Sequence, residues 1–211
     1  MTSSAQPARQ RLSPAVRTEA ILSAATEAFA VNHYEQVSVA AVGRVAGASE
    51  ALVYKYFDSK PALYAAVVKA QLEQLTAQQR VAVDALPPNS SARDLVRVII
   101  EATLDQVASA RTSASPFFSG DHEPAEVAAL RLGFRARLAD DLLARLRNPG
   151  WTRGRIAIIG FLGFLGAAAQ DWAEAGCPAE LRHPLVEAAL GALQGAMGDW
   201  AALEPPKDQP Q

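Results

Sequence analysis

The sequence has few of the residues that build cross-links, metal centres or nucleophilic active sites. Among its 211 residues are one cysteine, Cys177, and three histidines. A single cysteine excludes an intramolecular disulfide framework. The sequence shows no Ser/His/Asp arrangement, no Cys/His pairing and no glycine-rich phosphate loop. The common hydrolase and nucleotide-binding classes are therefore disfavoured, and no cofactor is expected.

Neither sign of charge dominates the chain. It has 20 Lys and Arg residues against 22 Asp and Glu residues, a net charge of -2. Bulk charge therefore does not make the molecule a polyanion binder. Any affinity for nucleic acid must come from the placement of a few side chains.

Long apolar runs are also missing. The longest, Ile156 to Ala169, is shorter than the roughly 20 residues of a membrane helix. The N-terminus has no apolar stretch after its charges, so no secretory signal is expected. These features predict a soluble, cytoplasmic protein with no membrane partner.

Helical periodicity runs through most of the chain. Half of the residues are hydrophobic, and apolar positions recur three and four residues apart. Ser13-Pro14 marks the start of a first helix, and Ser91-x-x-Asp94 marks a later start. We predict an all-α fold.

The most informative stretch is Ser38 to Phe57, which we interpret as two short helices joined by a tight turn. Ser38 and Ser49 are suited to cap the two helices. Gly47 supplies the left-handed backbone conformation that the turn requires. Two short helices that cross at such a turn form a helix-turn-helix, whose second helix enters the DNA major groove.

The run from Arg17 to Leu63 resembles the DNA-binding domain of tetracycline-repressor (TetR) family transcription regulators. The matching residues are Ile21, Leu22, Ala25, Phe29, Val37, Ser38, Val42, Ala46, Gly47, Ser49, Tyr54, Tyr56, Phe57, Ser59, Lys60 and Leu63. The string Tyr-x-Tyr-Phe-x-Ser-Lys after Ala-Gly-x-Ser is the most specific part. The resemblance covers roughly the first third of the chain and implies a homodimeric, ligand-responsive DNA-binding regulator.

Four positions depart from the residues usual in that family, and one of them, Ala41, replaces an acid, so the capping box after Ser38 is absent. Asn32 replaces a glycine, and we expect it to take the left-handed conformation at a helix end. Gly43 replaces an alanine, which should cost its helix about 1 kcal/mol. Glu50 often aligns with a basic residue, and a glutamate accepts from cytosine N4 but is repelled by phosphate.

The predicted DNA contacts are Ser38, Ser49, Glu50, Ala51, Leu52, Tyr54, Lys55 and Lys60. The residues that open the second helix suit base edges and thymine methyl groups. The resemblance implies that Tyr54 reaches DNA, although a half-buried aromatic is the alternative. Lys55 and Lys60 are candidate phosphate contacts, and Lys60 begins a helix whose free N–H groups attract an anion.

The chain is predicted to divide into a flexible tail (1–12), a TetR-type DNA-binding domain (13–75, motif 38–57), a helical ligand-binding and dimerisation domain (76–204) and a second tail (205–211). The resemblance implies that the larger domain binds a small molecule. Candidate pocket residues are Phe117, Phe118, Phe134, Trp151, Phe161 and Phe164. The same aromatics are equally consistent with an ordinary core.

Glycine recurs at helical spacing near the C-terminus. The sets are Gly160, Gly163 and Gly166 on one predicted helix, and Gly191, Gly195 and Gly198 on a last helix predicted over 184–202. Each mid-helix glycine costs about 1 kcal/mol relative to alanine, so close helix approach is expected to compensate. Two such helices from each subunit would form a four-helix dimer interface, as the resemblance also implies. A buried core is the alternative.

Two polar clusters leave alternatives open. Asp121, His122 and Glu123 are consecutive, and consecutive side chains converge poorly on one ion, so no metal site is predicted. The arginines of the following helix form either a solvated face or a site for an anionic ligand or partner; they are Arg131, Arg135, Arg137, Arg145 and Arg147.

We therefore predict a transcription regulator that is not an enzyme. It is expected to be a repressor, released from a palindromic operator in double-stranded DNA by an unknown small-molecule effector. A helical protein-interaction module is one alternative, which Glu50 and the near-neutral N-terminal domain favour. A small hydrolase using Asp121, His122 and Glu123 is the other.

Overall fold

A computed structural model describes residues 13–110, 123–146 and 152–198. These residues form eight α-helices, one 3₁₀ helix (Tyr34–Gln36) and no strand. The α-helices are α1 (Pro14–Val31), α2 (Val39–Val45), α3 (Glu50–Tyr56), α4 (Lys60–Asp84), α5 (Ala92–Ala110), α6 (Ala125–Arg145), α7 (Thr152–Glu174) and α8 (Ala179–Met197). The predicted all-α class is confirmed, and the predicted tails at 1–12 and 205–211 lie outside the described residues.

Side-chain caps begin the helices where the sequence predicts them. Four serines accept a hydrogen bond from the backbone N–H three residues on: Ser13, Ser38, Ser49 and Ser59. The start of α5 is a reciprocal cap, in which the Ser91 N–H donates to Asp94 Oδ2 at 3.0 Å and the Asp94 N–H donates to Ser91 Oγ at 3.2 Å. Each cap satisfies a backbone donor that a helix start leaves without a partner.

Asn32 ends α1 differently from the prediction. Its φ of -133° and ψ of 143° are extended and not left-handed. Its side-chain Nδ2 instead donates to the Ala28 carbonyl at 2.8 Å, and so satisfies one of the free acceptors at the helix end. Asn32 therefore caps the end of α1 with its side-chain amide and does not use the left-handed backbone conformation.

Two apolar clusters hold the helices together. The first packs α1, α2, α3 and the beginning of α4, which we call the head, and its fully buried members include Ile21, Val53 and Leu63. The second packs α5 to α8 and includes Ile100 and Ile158. Each such side chain contributes about 1.5–3 kcal/mol through burial. Helix α4 crosses the predicted domain boundary at residue 75 without a break.

Helix α6 also reaches the head. Val127, in its first turn, is fully buried in the head cluster, and Leu130 and Phe134 pack against that cluster. Because Ala139 and Leu142 of the same helix lie in the second cluster, α6 is a second connection between the two parts of the chain.

The last helix has different bounds from those predicted. It begins at Ala179, encloses Pro184 and ends at Met197. Gly198 follows with a φ of 81°, a left-handed conformation that favours glycine. Gly198 is therefore a helix terminator, and the prediction that it is a mid-helix packing glycine is wrong.

Helix α7 has the length and composition of a membrane helix. It spans 23 residues with a mean hydropathy of 1.5 in its most apolar window, and 44% of that window is buried inside the fold. Its buried residues, among them Ala157, Ile158 and Phe161, belong to the second cluster. A core helix of a soluble protein has the same composition, so α7 gives only weak support for a membrane location.

Candidate DNA-binding and effector sites

The turn between α2 and α3 is held by a left-handed glycine and by an arginine from α1. Gly47 has a φ of 64°, as predicted from the sequence. Arg17 Nη1 donates to the Ala46 carbonyl at 2.9 Å and to the Gly47 carbonyl at 3.1 Å. These bonds satisfy acceptors at the end of α2 and fix α1 against the turn. Sequence reasoning missed this role of Arg17, because its partners lie about thirty residues away.

Gly43 allows the two short helices to approach each other closely. An added Cβ at this position would lie 2.9 Å from the Ala48 carbonyl oxygen and 3.3 Å from Val53 Cγ2. The Ala48 N–H also donates to the Gly43 carbonyl at 2.8 Å. The backbones are therefore in direct contact, which a larger residue would prevent without a shift.

Helix α3 presents an exposed edge at the surface of the head. Val53 is fully buried and anchors the helix, whereas Tyr54 is 40% exposed. Four predicted contacts are also exposed, namely Ser49, Glu50, Ala51 and Lys55. Leu52 is half-buried. The Ser49 and Ser38 hydroxyl oxygens accept the cap bonds of their own helices.

The Lys60 ammonium group contacts other residues of the same chain. Its Nζ donates to the Glu35 carbonyl at 3.1 Å and lies 4.6 Å from the centre of the Tyr34 ring. Burial lowers the pKa of Lys60, an effect that nearby Glu35 partly offsets. In this structure the ammonium joins the start of α4 to the 3₁₀ helix, a role that sequence reasoning did not anticipate for a candidate phosphate contact.

Two cavities lie between the helices that follow the head. The larger, about 840 Å³, opens between α4, α5 and α6. The smaller, about 270 Å³, lies between α4, α5, α6 and α7. Five residues line both: Leu72, Gln79, Ile99, Phe134 and Leu138. The combined space is in the range of small-molecule sites.

Only one of the described aromatic pocket candidates lines a cavity. Phe134 lines both cavities. Phe161 is 2% exposed within the second cluster, Phe164 is 40% exposed, and neither is among the residues that line these two cavities. Phe117, Phe118 and Trp151 lie outside the described residues.

The recurring glycines of α7 and α8 do not pack against other helices of the same chain. An added Cβ at Gly160, Gly163, Gly166, Gly191 or Gly195 would meet nothing within 4 Å. Close approach inside the subunit is therefore not what compensates for them. The outer surface of α7 also carries Ile156 and Ile159, which are 66% and 42% exposed.

A buried ion pair lies at the beginning of α6, next to Tyr64 of the head. Arg131 Nε donates to Glu123 Oε1 at 2.7 Å, and the two side chains are 11% and 7% exposed. Arg131 also lies close enough to Tyr64 for its charge to act on the Tyr64 hydroxyl. Burial raises the pKa of Tyr64, and the Arg131 charge acts in the opposite direction.

The described residues contain no cluster of His, Cys, Asp and Glu side chains suited to a metal ion. Glu123, one of three consecutive candidates, is the ion-pair partner of Arg131. Asp121 and His122 lie outside the described residues. Arg145 pairs with Asp141 at 2.8 Å, whereas Arg147 is also outside the described part.

Residues 21–67 match the family described as bacterial regulatory proteins, tetR family. The matched span contains α2, the Gly47 turn and α3. The head of this chain is therefore a tetR-type DNA-binding domain. Members of this family are DNA-binding transcription regulators and not enzymes, so the hydrolase alternative is set aside.

Solved structures of TetR-type proteins share the fold over most of the chain. A TetR-like regulator from Rhodococcus sp. RHA1 is 22% identical, with a TM-score of 0.68 and coverage of 90% of this chain and 100% of that one. A tetR-family regulator from Streptomyces coelicolor is 18% identical, with a TM-score of 0.71 and coverage of 92% and 85%. FadR from Bacillus subtilis, solved with stearoyl-CoA, is 17% identical, with a TM-score of 0.62 and coverage of 85% and 97%. A search of curated proteins finds no match. At these identities the structures establish the fold of this chain and leave its effector open.

Proposed function

We propose that the protein is a homodimeric repressor that binds a palindromic operator and is released from it by a small-molecule effector. The observation that carries the proposal is the exposed edge of α3, held at a fixed angle to α2 by Gly43, Gly47 and Arg17. A rigid helix with exposed polar and aromatic side chains at its start suits the major groove.

The exposed side chains of α3 support a division of roles on DNA. Glu50 and Ala51 lie in its first turn, where side chains meet base edges, and Glu50 suits a cytosine N4. Tyr54 follows one turn later, and Lys55 adds a positive charge suited to phosphate. Ser49 and Ser38 are used as caps, so they contribute to DNA binding chiefly by positioning the helices.

The outward glycines of α7 and α8 support dimerisation through these helices. Gly160 and Gly191 are exposed, with no neighbour near the position of a Cβ, and exposed isoleucines extend the same surface on α7. Glycine allows backbones from two subunits to approach closely, and apolar area is then removed from water. Two-fold symmetry of the protein implies an inverted repeat in the DNA, with half-sites about 34–36 Å apart.

The two cavities support effector control through α4. One helix carries Leu63 in the head and Leu72 and Gln79 in the cavity walls. A ligand that prefers a cavity shape incompatible with the DNA-bound spacing lowers DNA affinity by its differential affinity for the two states. The FadR structure with stearoyl-CoA supports the idea that this fold can enclose an effector with a long apolar part.

Selection of bound duplexes from a random library by the purified chain tests the proposal. We expect an enriched inverted repeat, and an affinity that falls steeply as salt rises because phosphate contacts release counterions. The absence of binding even at low salt would contradict the proposal and favour a protein partner for the head.

A further inference from the structure

The smaller cavity has an unusual balance of charge for an apolar site. Most of its wall is aliphatic or aromatic, and the ionisable residues that line it are Arg131 and Arg135 of α6. Among the described lining residues there is no carboxylate. A site with apolar walls and only cationic groups favours a ligand that is apolar over most of its surface and negative at one end.

The larger cavity differs in this respect. Lys69 and Glu73 on its rim pair at 3.2 Å, and Arg145 pairs with Asp141 at 2.8 Å. Arg80 and Arg137 also line this cavity, so both cavities have more cations than carboxylates in their walls. The smaller cavity differs in having no carboxylate among its described lining residues.

The polar pair in the smaller cavity is already satisfied within the protein. Gln79 Nε2 donates to Thr103 Oγ1 at 3.1 Å, and Thr103 Oγ1 donates to the Ile99 carbonyl at 2.8 Å. The Thr103 hydroxyl proton is therefore already used in a hydrogen bond within the protein. Among the groups described here, the guanidinium groups are the stronger donors for an anionic ligand, and their planar geometry matches a carboxylate.

Arg131 is shared between this cavity and the head. It lines the cavity, pairs with buried Glu123 and lies close to Tyr64. The Tyr64 ring lies 4.7 Å from Phe29 and 5.1 Å from Tyr34, measured between ring centres. Arg131 is therefore next to the aromatic residues of the head.

We propose that the effector is an apolar carboxylic acid whose carboxylate binds Arg131 in the smaller cavity, and that it acts on the head by competing with Glu123 for this arginine. This inference rests on the proposed effector function of the same site. A carboxylate that takes Arg131 leaves Glu123 buried without its cation, which is unfavourable until the start of α6 moves. Because Val127 in that first turn is buried in the head cluster, the movement reaches the head.

Calorimetry with the full chain tests the ligand class. The probes are hexanoate, octanoate, decanoate and phenylbutyrate, with decanol and decanoyl-CoA as comparisons. We expect at least one free acid to bind, and decanol to bind about tenfold or more weakly than decanoate because it forms no charged hydrogen bond. Equal binding of decanol, binding of decanoyl-CoA without the free acids, or no binding of any acid would each overturn the inference.

Two substitutions in α6 test the assignment of Arg131. Arg131→Gln should remove the preference for decanoate over decanol, and decanoate should no longer release DNA from the variant. Arg137→Gln is the matched control, since Arg137 is on the same helix and lines the larger cavity but not the smaller one. Loss of the preference in the Arg137 variant, with retention in the Arg131 variant, would place the anion elsewhere and refute the assignment.

Glu123→Gln gives a test that does not depend on loss of function. Removing the competing carboxylate should raise decanoate affinity several-fold and lower the concentration that releases DNA. A higher decanoate affinity cannot result from misfolding. The Glu123→Gln variant therefore tests the competition for Arg131 even if Arg131→Gln does not fold. Unchanged or weaker decanoate binding in Glu123→Gln would contradict the competition. If the protein selects an inverted repeat but binds no acid, this inference alone is wrong. If it binds acids but no DNA, the proposed function is wrong.

Discussion

Individual glycines have different structural roles in this chain. Gly47 is needed for its left-handed backbone, whereas Gly43 has a helical backbone and is needed because Ala48 lies behind it. Gly133 in α6 has neither constraint, since its nearest neighbour is the end of the Arg137 side chain at 3.5 Å. Residue type alone does not distinguish these cases; the position of neighbouring backbone does.

Gly43→Ala should destabilise the head. In an open helix position the change would stabilise by about 1 kcal/mol, but here the new methyl group meets a backbone carbonyl at 2.9 Å. Because α2 must move away from the turn, the expected gain in stability should become a loss of about 1–3 kcal/mol. Chemical denaturation measures the change.

Gly133→Ala is the control for this prediction, because the new methyl group there is in ordinary contact with a mobile side chain. It should leave stability unchanged or raise it by up to about 1 kcal/mol. If Gly43→Ala proved at least as stable as the original chain, the close approach of α2 to the turn would be contradicted.

At the scale of helices, one carboxylate of α8 accepts hydrogen bonds from two arginines of α5. Glu187 accepts from Arg93 and Arg97, each at 2.7 Å. The hydrogen bond from Arg97 lowers the pKa of Glu187, the charges of both arginines add to this, and partial desolvation opposes it. A carboxyl whose pKa is lower in the folded chain than in the unfolded chain stabilises the fold above its unfolded pKa.

Glu187→Gln should therefore lower the melting temperature at neutral pH but not in acid. The difference between the original chain and the variant should be constant above about pH 5 and should shrink as pH falls below about 4.3, the ordinary glutamate pKa. Melting curves over a pH series provide the measurement. A difference that grew as pH fell would contradict the assigned direction of the shift.

Helix α4 is proposed to transmit effector binding in the cavities to the head. It runs unbroken from Lys60 to Asp84, and Ala70 lies between Val68 of the head cluster and Leu72, which belongs to that cluster and also lines both cavities. Ala70→Pro removes one backbone hydrogen bond and kinks the helix at a cost of about 3 kcal/mol. The variant should bind DNA but no longer release it when the effector is added.

Ala70→Gly provides a milder control at the same site, because it costs about 1 kcal/mol without kinking the helix. It should retain effector release. Fluorescence anisotropy on the selected duplex measures the release. If the effector released DNA normally from the Ala70→Pro variant, α4 would not be the element that transmits effector binding to the head.

At the scale of the whole molecule, the proposed dimer depends on the outer surfaces of α7 and α8. Gly191→Arg places a long charged side chain on that surface, where nothing in the same subunit obstructs it. The subunit should fold, and the dimer should dissociate. Light scattering with size-exclusion chromatography reports the mass.

Leu132→Arg is the matched control, since Leu132 is a 65% exposed apolar residue on α6, away from the proposed interface. It should leave the dimer intact. A Gly191→Arg variant that remained dimeric at low concentration would move the interface elsewhere on the molecule.

The features predictable from the sequence are those set by neighbours along the chain. Serine caps, the Gly47 turn and the helix-turn-helix follow from a few adjacent residues, and the structure has them. The end of α8 at Gly198 and the cap made by the Asn32 side chain were predicted wrongly, because each depends on competition between local conformations. The contacts of Arg17 and Arg131 join residues from separate elements, and no local pattern indicates them.

The affinity of the selected duplex for Tyr54→Ala tests the central claim, that the exposed edge of α3 reads DNA. Tyr54 is 40% exposed, so its removal should spare the fold, and Leu132→Ala serves as a surface control. We predict that Tyr54→Ala loses about 1–3 kcal/mol of binding to the selected duplex, with little change on a scrambled duplex, while Leu132→Ala binds normally. Equal affinity of Tyr54→Ala and the original chain for the selected duplex would contradict the claim.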